Sequence, residues 1–313
     1  MDRKVVIALG GNAIRRKGEP FTIDHQFNRA KKTLAPIVEL IKEGYRIVIT
    51  HGNGPQVGVE LFRNLLAADT YPPYPLDVLN AETQGWMGYI ISLALTNRMI
   101  KLRMKRHVTT VITRIIVDKD DPAFKNPTKP IGRFFTEEEM KEVKKRFPQL
   151  EFVNDADRGW RVVVPSPRPL EVLEAGEIKK LVDDGEIVIA AGGGGIPIIR
   201  ENGGFRGVEA VIDKDLASAV LAQNIGAERL VILTEVPYVY LNFGKPDQKP
   251  LEEIHLSDLK RYHAEGHFPP GNMGPKVEAA INFLENGGDE VIITSLEKSL
   301  EAIHGKGGTR IVP

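Results

Sequence analysis

The sequence predicts an α/β protein: an open, mostly parallel twisted sheet sandwiched between helices. Three observations carry that prediction. Short β-branched runs recur at 5–9 (VVIAL), 46–50 (RIVIT), 187–191 (IVIAA), 230–234 (LVILT) and 291–294 (VIIT). They are continuous rather than alternating, as suits strands buried on both faces of a sheet. Helical stripes lie between many of them, which is the alternation of βαβ units. The length of 313 residues allows two domains or one large α/β unit. A chain of that size buries about three quarters of its unfolded surface and needs no covalent staples.

The elements follow in order. The run 5–9 has five apolar residues, too few for the apolar core of a signal peptide, and it ends at Gly10-Gly11-Asn12-Ala13. Over 24–43, Phe27, Ala30, Leu34, Ile37, Val38 and Ile41 share one stripe that closes at Gly44, predicting a helix. The run 46–50 leads through His51 into Gly52-Asn53-Gly54-Pro55 and on to Gly58. A long helical pattern then includes the apolar stretch 89–95, which Ser92 interrupts and Thr96-Asn97-Arg98 ends, so nothing spans a bilayer. Arg98, Lys101, Arg103, Lys105 and Arg106 at its end complement the helix dipole, and no aromatic residues interleave them as in a nucleic-acid surface.

Residues 118–165 break the rhythm. Twenty of these 48 residues are charged, ten of each sign, and Pro122, Pro127, Pro130, Pro148 and Pro165 interrupt them. One helix signal, TEEE at 136–139, lies among them. Such a composition does not suit the inside of a sheet, and it predicts a solvated insertion that protrudes from the body as a lid. Beyond it, the run 187–191 ends at Gly192-Gly193-Gly194-Gly195, and helices are expected at 215–223 and 277–285, with Gly226 and Gly287 just past their ends.

Composition excludes several classes. Lys plus Arg and Asp plus Glu both number 42, which argues against a polyanion binder or an anionic-membrane binder. With no cysteine there is no disulfide framework, thiolate nucleophile or thiolate metal site. The seven histidines show no metal-ligand spacing, so no protein-ligated metal is expected. Neither a GxxxxGK[ST] loop nor a Gly-x-Ser-x-Gly elbow occurs. Gly52-Asn53-Gly54 with Gly58 misses the dinucleotide fingerprint by one residue, and the Tyr71-Pro72-Pro73-Tyr74-Pro75 stretch cannot be the following ribose-binding strand. The expectation is a soluble, cytoplasmic protein.

Three glycine-rich turns, each directly after a strand, are the chemical signal. In an open parallel sheet ligands bind at the carboxyl ends of strands, where glycine lets backbone N–H groups approach an anion. One such turn is usually only a turn, but three point to a shared phosphate site. Lys214 and Lys276 both stand at predicted helix starts, where a cation is unfavourable by roughly 0.3–1 kcal/mol unless an anion is present. The simpler alternative is that Asp213 caps its helix and Lys214 is solvated. Together with the three turns, the lysines favour phosphoryl transfer, with Asp215 either orienting both or helping to position Mg²⁺.

The ordered set ALGGNA (8–13), HGNGPQVG (51–58), NPTKPIG (126–132), VVPSPRP (163–169), AGGGGIP (191–197), GVEAVIDKDLAS (207–218), NMGPKVEAA (272–280) and HGKGGTRI (304–311) resembles the carbamate kinases of the amino acid kinase family. It covers essentially the whole chain. The resemblance implies that family's fold, with an eight-stranded type of sheet, and a homodimer. It also implies reversible, Mg²⁺-dependent phosphoryl transfer between ATP and carbamate, giving ADP and carbamoyl phosphate. It implies one unit over 1–313, with an acceptor half at about 1–185, a nucleotide half at about 186–313, and the lid at 118–165.

Carried over to this sequence, Gly10, Gly11, Asn12, Gly52, Asn53 and Gly54 would hold the carbamoyl and phosphoryl groups. Lys214 and Lys276 match the family's transition-state lysines, Asp215 the carboxylate that orients them, and Lys129 the lysine that reaches over the substrate from the insertion. Gly193, Gly194, Thr234, Val236, Tyr240, Met273 and Gly274 would line the nucleotide. Related kinases acting on acetylglutamate, glutamate or a nucleoside monophosphate are the alternative. They need a wider acceptor pocket, which the proline-rich lid argues against, and retention of Lys214, Asp215 and Lys276 argues against a catalytically silent sensor.

Overall fold

The computed structural model describes residues 4–10, 14, 20–155, 158–269 and 271–313. The first half runs β1 (Lys4–Leu9), α1 (Ile23–Thr33), α2 (Ala35–Lys42), β2 (Arg46–His51), α3 (Gly54–Leu66) and the long α4 (Leu76–Lys101). Next come β3 (Val108–Thr110), β4 (Arg114–Val117), β5 (Lys129–Phe135), α5 (Glu137–Arg146), β6 (Glu151–Asn154) and β7 (Trp160–Val164). The chain returns through β8 (Pro169–Val172), α6 (Ala175–Asp183), β9 (Ile187–Ile189), β10 (Ile196–Glu201) and β11 (Gly204–Gly207). It continues with α7 (Lys214–Asn224), β12 (Arg229–Thr234), β13 (Val239–Leu241), β14 (Lys249–Leu251) and β15 (Glu253–His255). It closes with α8 (Leu256–Ala264), α9 (Met273–Glu285), β16 (Glu290–Ser295), α10 (Ser299–Ile303) and β17 (Thr309–Val312).

Eight strands form the main sheet in the order β15-β17-β16-β12-β1-β2-β9-β3. All neighbours are parallel except β16 and β17. The five apolar runs all enter this sheet. In β1, Val6 and Ala8 face the core under α7 and α9, whereas Val5, Ile7 and Leu9 face the core under α1, α2 and α4. Continuous hydrophobicity was required because both faces are covered. Truncating one such side chain, Ile232→Ala for example, costs about 2–5 kcal/mol.

Two expectations are corrected. The stripe over 24–43 is two helices, because Pro36 in the first turn of α2 lacks an N–H and clashes with a continuing helix. The insertion is not strandless: β5, β7 and β6 form an antiparallel sheet of their own. Its inward residues Ile131, Phe135, Val162 and Val164 pack with Val57 of α3, Leu76 and Leu79 of α4, and Val211. High charge elsewhere in the segment concealed that alternation. The TEEE signal is a full capping box on α5, with the Thr136 hydroxyl and Glu139 carboxylate satisfying each other's backbone N–H groups.

Candidate active site

The carboxyl ends of β1, β2 and β12 meet the first turns of α7 and α9 at one edge of the sheet, as a parallel sheet requires. A cleft of about 670 Å³ opens there. Gly10, Lys214 and Lys276 line its floor, and Pro130, Arg158 and Arg161 of the insertion line its roof. Thr234, Glu235, Asn272 and Glu297 line the flank. At Gly10 the backbones crowd: a β-carbon would sit 3.1 Å from the Leu233 carbonyl oxygen.

Asp213 caps α7, its side chain accepting from the Asp215 backbone N–H at 2.9 Å. The cap fixes the turn that carries Lys214 and Asp215. Lys214 is not solvated, its side chain being 11 % exposed and paired with one Asp215 oxygen. Lys276, from α9, donates to the other Asp215 oxygen at 3.0 Å and to the Asn272 carbonyl at 3.2 Å. Asp215 is therefore a buried bridge with both oxygens engaged. Burial by itself would raise its pKa, but the two ammonium groups outweigh burial and hold it well below the usual carboxylate range. Burial lowers the pKa of Lys214, against the pull of Asp215 and helped by the charge of Lys276. For Lys276 the carboxylate of Asp215 outweighs burial, with Asp213 and Glu235 adding to it, and its pKa is raised.

Lys129 reaches down from β5 and pairs with Asp213 at 2.5 Å. Gly54 faces the same strand: a β-carbon there would lie 3.9 Å from the Pro130 carbonyl oxygen. Gly11 and Asn12 lie outside the described residues. Asn53 is buried, donating to Asn80 at 2.9 Å and Thr83 at 2.8 Å. Its side chain thus turns into the protein, and Gly52, Asn53 and Gly54 do not line the cleft, the Gly52 N–H donating to the Leu9 carbonyl at 3.3 Å.

The Gly192 to Gly195 turn is buried beneath the floor. A β-carbon at Gly193 would strike the Asn53 amide at 2.3 Å, and one at Gly194 the Ile212 carbonyl oxygen at 2.3 Å. His51 packs on Gly192 and is fully buried, which lowers its pKa from 6.5 to about 4. Thr234 lines the cleft, whereas Val236, Tyr240, Met273 and Gly274 do not, although Asn272 beside Met273 does. The Tyr240 ring instead contacts those of Tyr238 and Phe243.

Sequence reasoning missed the insertion's arginines. Arg158 is held by both oxygens of Asp155, and Arg161 donates to the Gly132 carbonyl at 3.2 Å while lying over Phe134. Arg158 lies between β6 and β7 and Arg161 within β7, positions that become visible only once those strands are paired. Missed too was the second function of Asp213, since nothing in the sequence links it to Lys129.

A family model described as the amino acid kinase family matches residues 3–295. The carbamate kinase of Pyrococcus furiosus is 49 % identical over 315 residues, with 100 % of each chain covered. A carbamate kinase 2 of Staphylococcus aureus is 47 % identical, with 99 % of each covered. Among solved structures, carbamate kinase from Giardia lamblia bound to AMP-PNP superposes with a TM-score of 0.91 at 47 % identity, covering 99 % of this chain and 98 % of that one. The fold and these likenesses define a phosphotransferase. The chain belongs to the amino acid kinase family.

Proposed function

We propose that the protein is a carbamate kinase, catalysing reversible phosphoryl transfer between ATP and carbamate to give ADP and carbamoyl phosphate. The observation that carries this reading is Asp215 bridging Lys214 and Lys276 at the floor of a cleft roofed by further cations. Full-length likeness to carbamate kinases supports the choice of acceptor. Carbamate is small, planar and anionic, so backbone N–H groups of the Gly10 and Asn53 to Gly54 turns suit it better than a side-chain pocket, the Gly52 N–H being taken by the Leu9 carbonyl.

Transfer is direct and in line. A carbamate oxygen attacks the terminal phosphorus of ATP, the bond to the bridging oxygen breaks, and ADP leaves with that electron pair. Two anions must meet, so Lys214 and Lys276 cancel repulsion and follow the charge as it moves to the leaving oxygen. Asp215 keeps both ammonium groups aimed at that point, and Lys129 closes over the carbamoyl end. The nucleotide lies towards Thr234, Met273 and Gly274, with Gly193 and Gly194 supporting the floor from below and Val236 and Tyr240 at the adenine side.

Mg²⁺ enters this reading with the nucleotide. Among the described residues no three His, Asp or Glu side chains converge as a metal cage. In this reading the ion is carried on the phosphate oxygens of the nucleotide, as Mg²⁺ commonly is. When bound, it would neutralise charge along the phosphate chain.

The compartment is the one that holds ATP, the cytoplasm, and among the described residues no helix is long and apolar enough to cross a membrane. We expect a homodimer, because Val78, Tyr89 and Ile100 stand eleven residues apart on α4, three helical turns each, and are 37 %, 57 % and 68 % exposed. A light-scattering mass of one chain would remove that expectation. The activity is tested by supplying ADP with carbamoyl phosphate, and separately ATP with acetylglutamate. ATP formation in the first mixture and silence in the second is the expected result. The reverse pattern transfers the protein to another branch of the family.

A further inference from the structure

Lys129 and Asp213 lie 84 positions apart in sequence, one on the insertion and one on the turn before α7, and they form a partly buried ion pair at 2.5 Å. The same carboxylate caps α7 through its other oxygen, which accepts from the Asp215 backbone N–H at 2.9 Å. Asp215 cannot take over the first duty, because Lys214 and Lys276 occupy both of its oxygens. We infer that Asp213 is a positioning residue, one carboxylate that anchors the roof lysine and the start of the catalytic helix to a single point.

This rests on the proposed carbamoyl phosphate site. A lysine carries three donors on a flexible four-carbon stem. Held by Asp213 through one donor, Lys129 keeps two for substrate oxygens and no longer samples the rest of its rotamers. Three lysines against two aspartates also leave this cluster one positive charge, which suits an incoming anion. Asp213 thereby sets the distance between roof and floor, and acts on the substrate through Lys129.

Asn caps helices about as well as Asp, so Asp213→Asn removes the ion pair and keeps the cap, whereas Asp213→Ala removes both. In Asp213→Asn the KM for carbamoyl phosphate should rise about tenfold, with kcat and the KM for ADP moving less than about twofold. In a Lys129→Ala background the same substitution should add nothing further. Asp213→Ala should also lower kcat, because the turn bearing Lys214 and Asp215 loses its cap. An equal rise of KM in both backgrounds, or no rise in either, overturns the inference.

A second measurement needs no substrate. Amide hydrogen exchange over 118–165 should quicken alike in Asp213→Asn and Lys129→Ala, and unchanged exchange in both overturns the tether. A wild-type protein inactive with carbamoyl phosphate would sink the proposed substrate, while the exchange comparison still decides the role of Asp213.

Discussion

Asp215 accepts from Lys214 through one oxygen and from Lys276 through the other, so loss of Asp215 would strand two buried ammonium groups. Breaking such a pair from one side typically costs about 3–5 kcal/mol. His51 is the opposite case, a buried group kept neutral. Its folded pKa of about 4 lies below its ordinary 6.5, so the unfolded chain binds the extra proton between those values. Its contribution is therefore complete above pH 6.5 and is lost as pH falls to about 4, a change of about 3 kcal/mol. The Asp215 contribution persists through that window and is lost only below the unfolded carboxylate pKa of about 3.9. Denaturant unfolding at pH 7 and pH 4.5 should show a large loss in wild type and a much smaller one in His51→Gln. Equal losses would mean that His51 is not the titrating group. The lysines were legible in sequence because a cation at a helix start is anomalous. The burial of His51 and Asn53 was not, since it depends on Gly192 and Gly193, about 140 residues away.

Elements meet more closely here than their sequences suggest. A β-carbon on Gly58 of α3 would lie 2.1 Å from the Gly132 α-carbon of β5. Helix and strand thus touch backbone to backbone, and β5 carries Lys129. In sequence, Gly58 was the tail of an off-register nucleotide fingerprint and the last residue of HGNGPQVG, with no packing reason attached. Its requirement comes from a neighbour 74 positions on, which no local pattern could reveal. Gly58→Ala should push β5 away from the floor. Activity, as kcat/KM for carbamoyl phosphate, should fall by about tenfold or more, in keeping with the cost of misplacing a reacting group by about an ångström. Circular dichroism should show the secondary structure retained. Wild-type kcat/KM in this variant would show that the contact can yield without moving Lys129. The five central strands were legible because both of their faces are buried. The insertion's small sheet was not, since its solvent face carries the charge.

Across the whole molecule, 42 cations balance 42 anions, yet the balance is uneven in space. Lys214, Lys276, Arg158 and Arg161 line one cleft, Lys129 is tied beside it to Asp213, and Asp213, Asp215 and Asp155 hold four of those five by ion pairs. Lys214 and Lys276 belong to different helices, 62 positions apart, which pack on the same face of the sheet. Only the complete fold brings them to one carboxylate. The most direct test of phosphoryl transfer at that centre is therefore Lys214→Ala and Lys276→Ala, measured for both kcat and ADP affinity. Each should lower kcat by about 10²–10³-fold while ADP affinity changes far less, because the lysines act on charge that develops during transfer. Near-normal turnover in both variants would contradict the account.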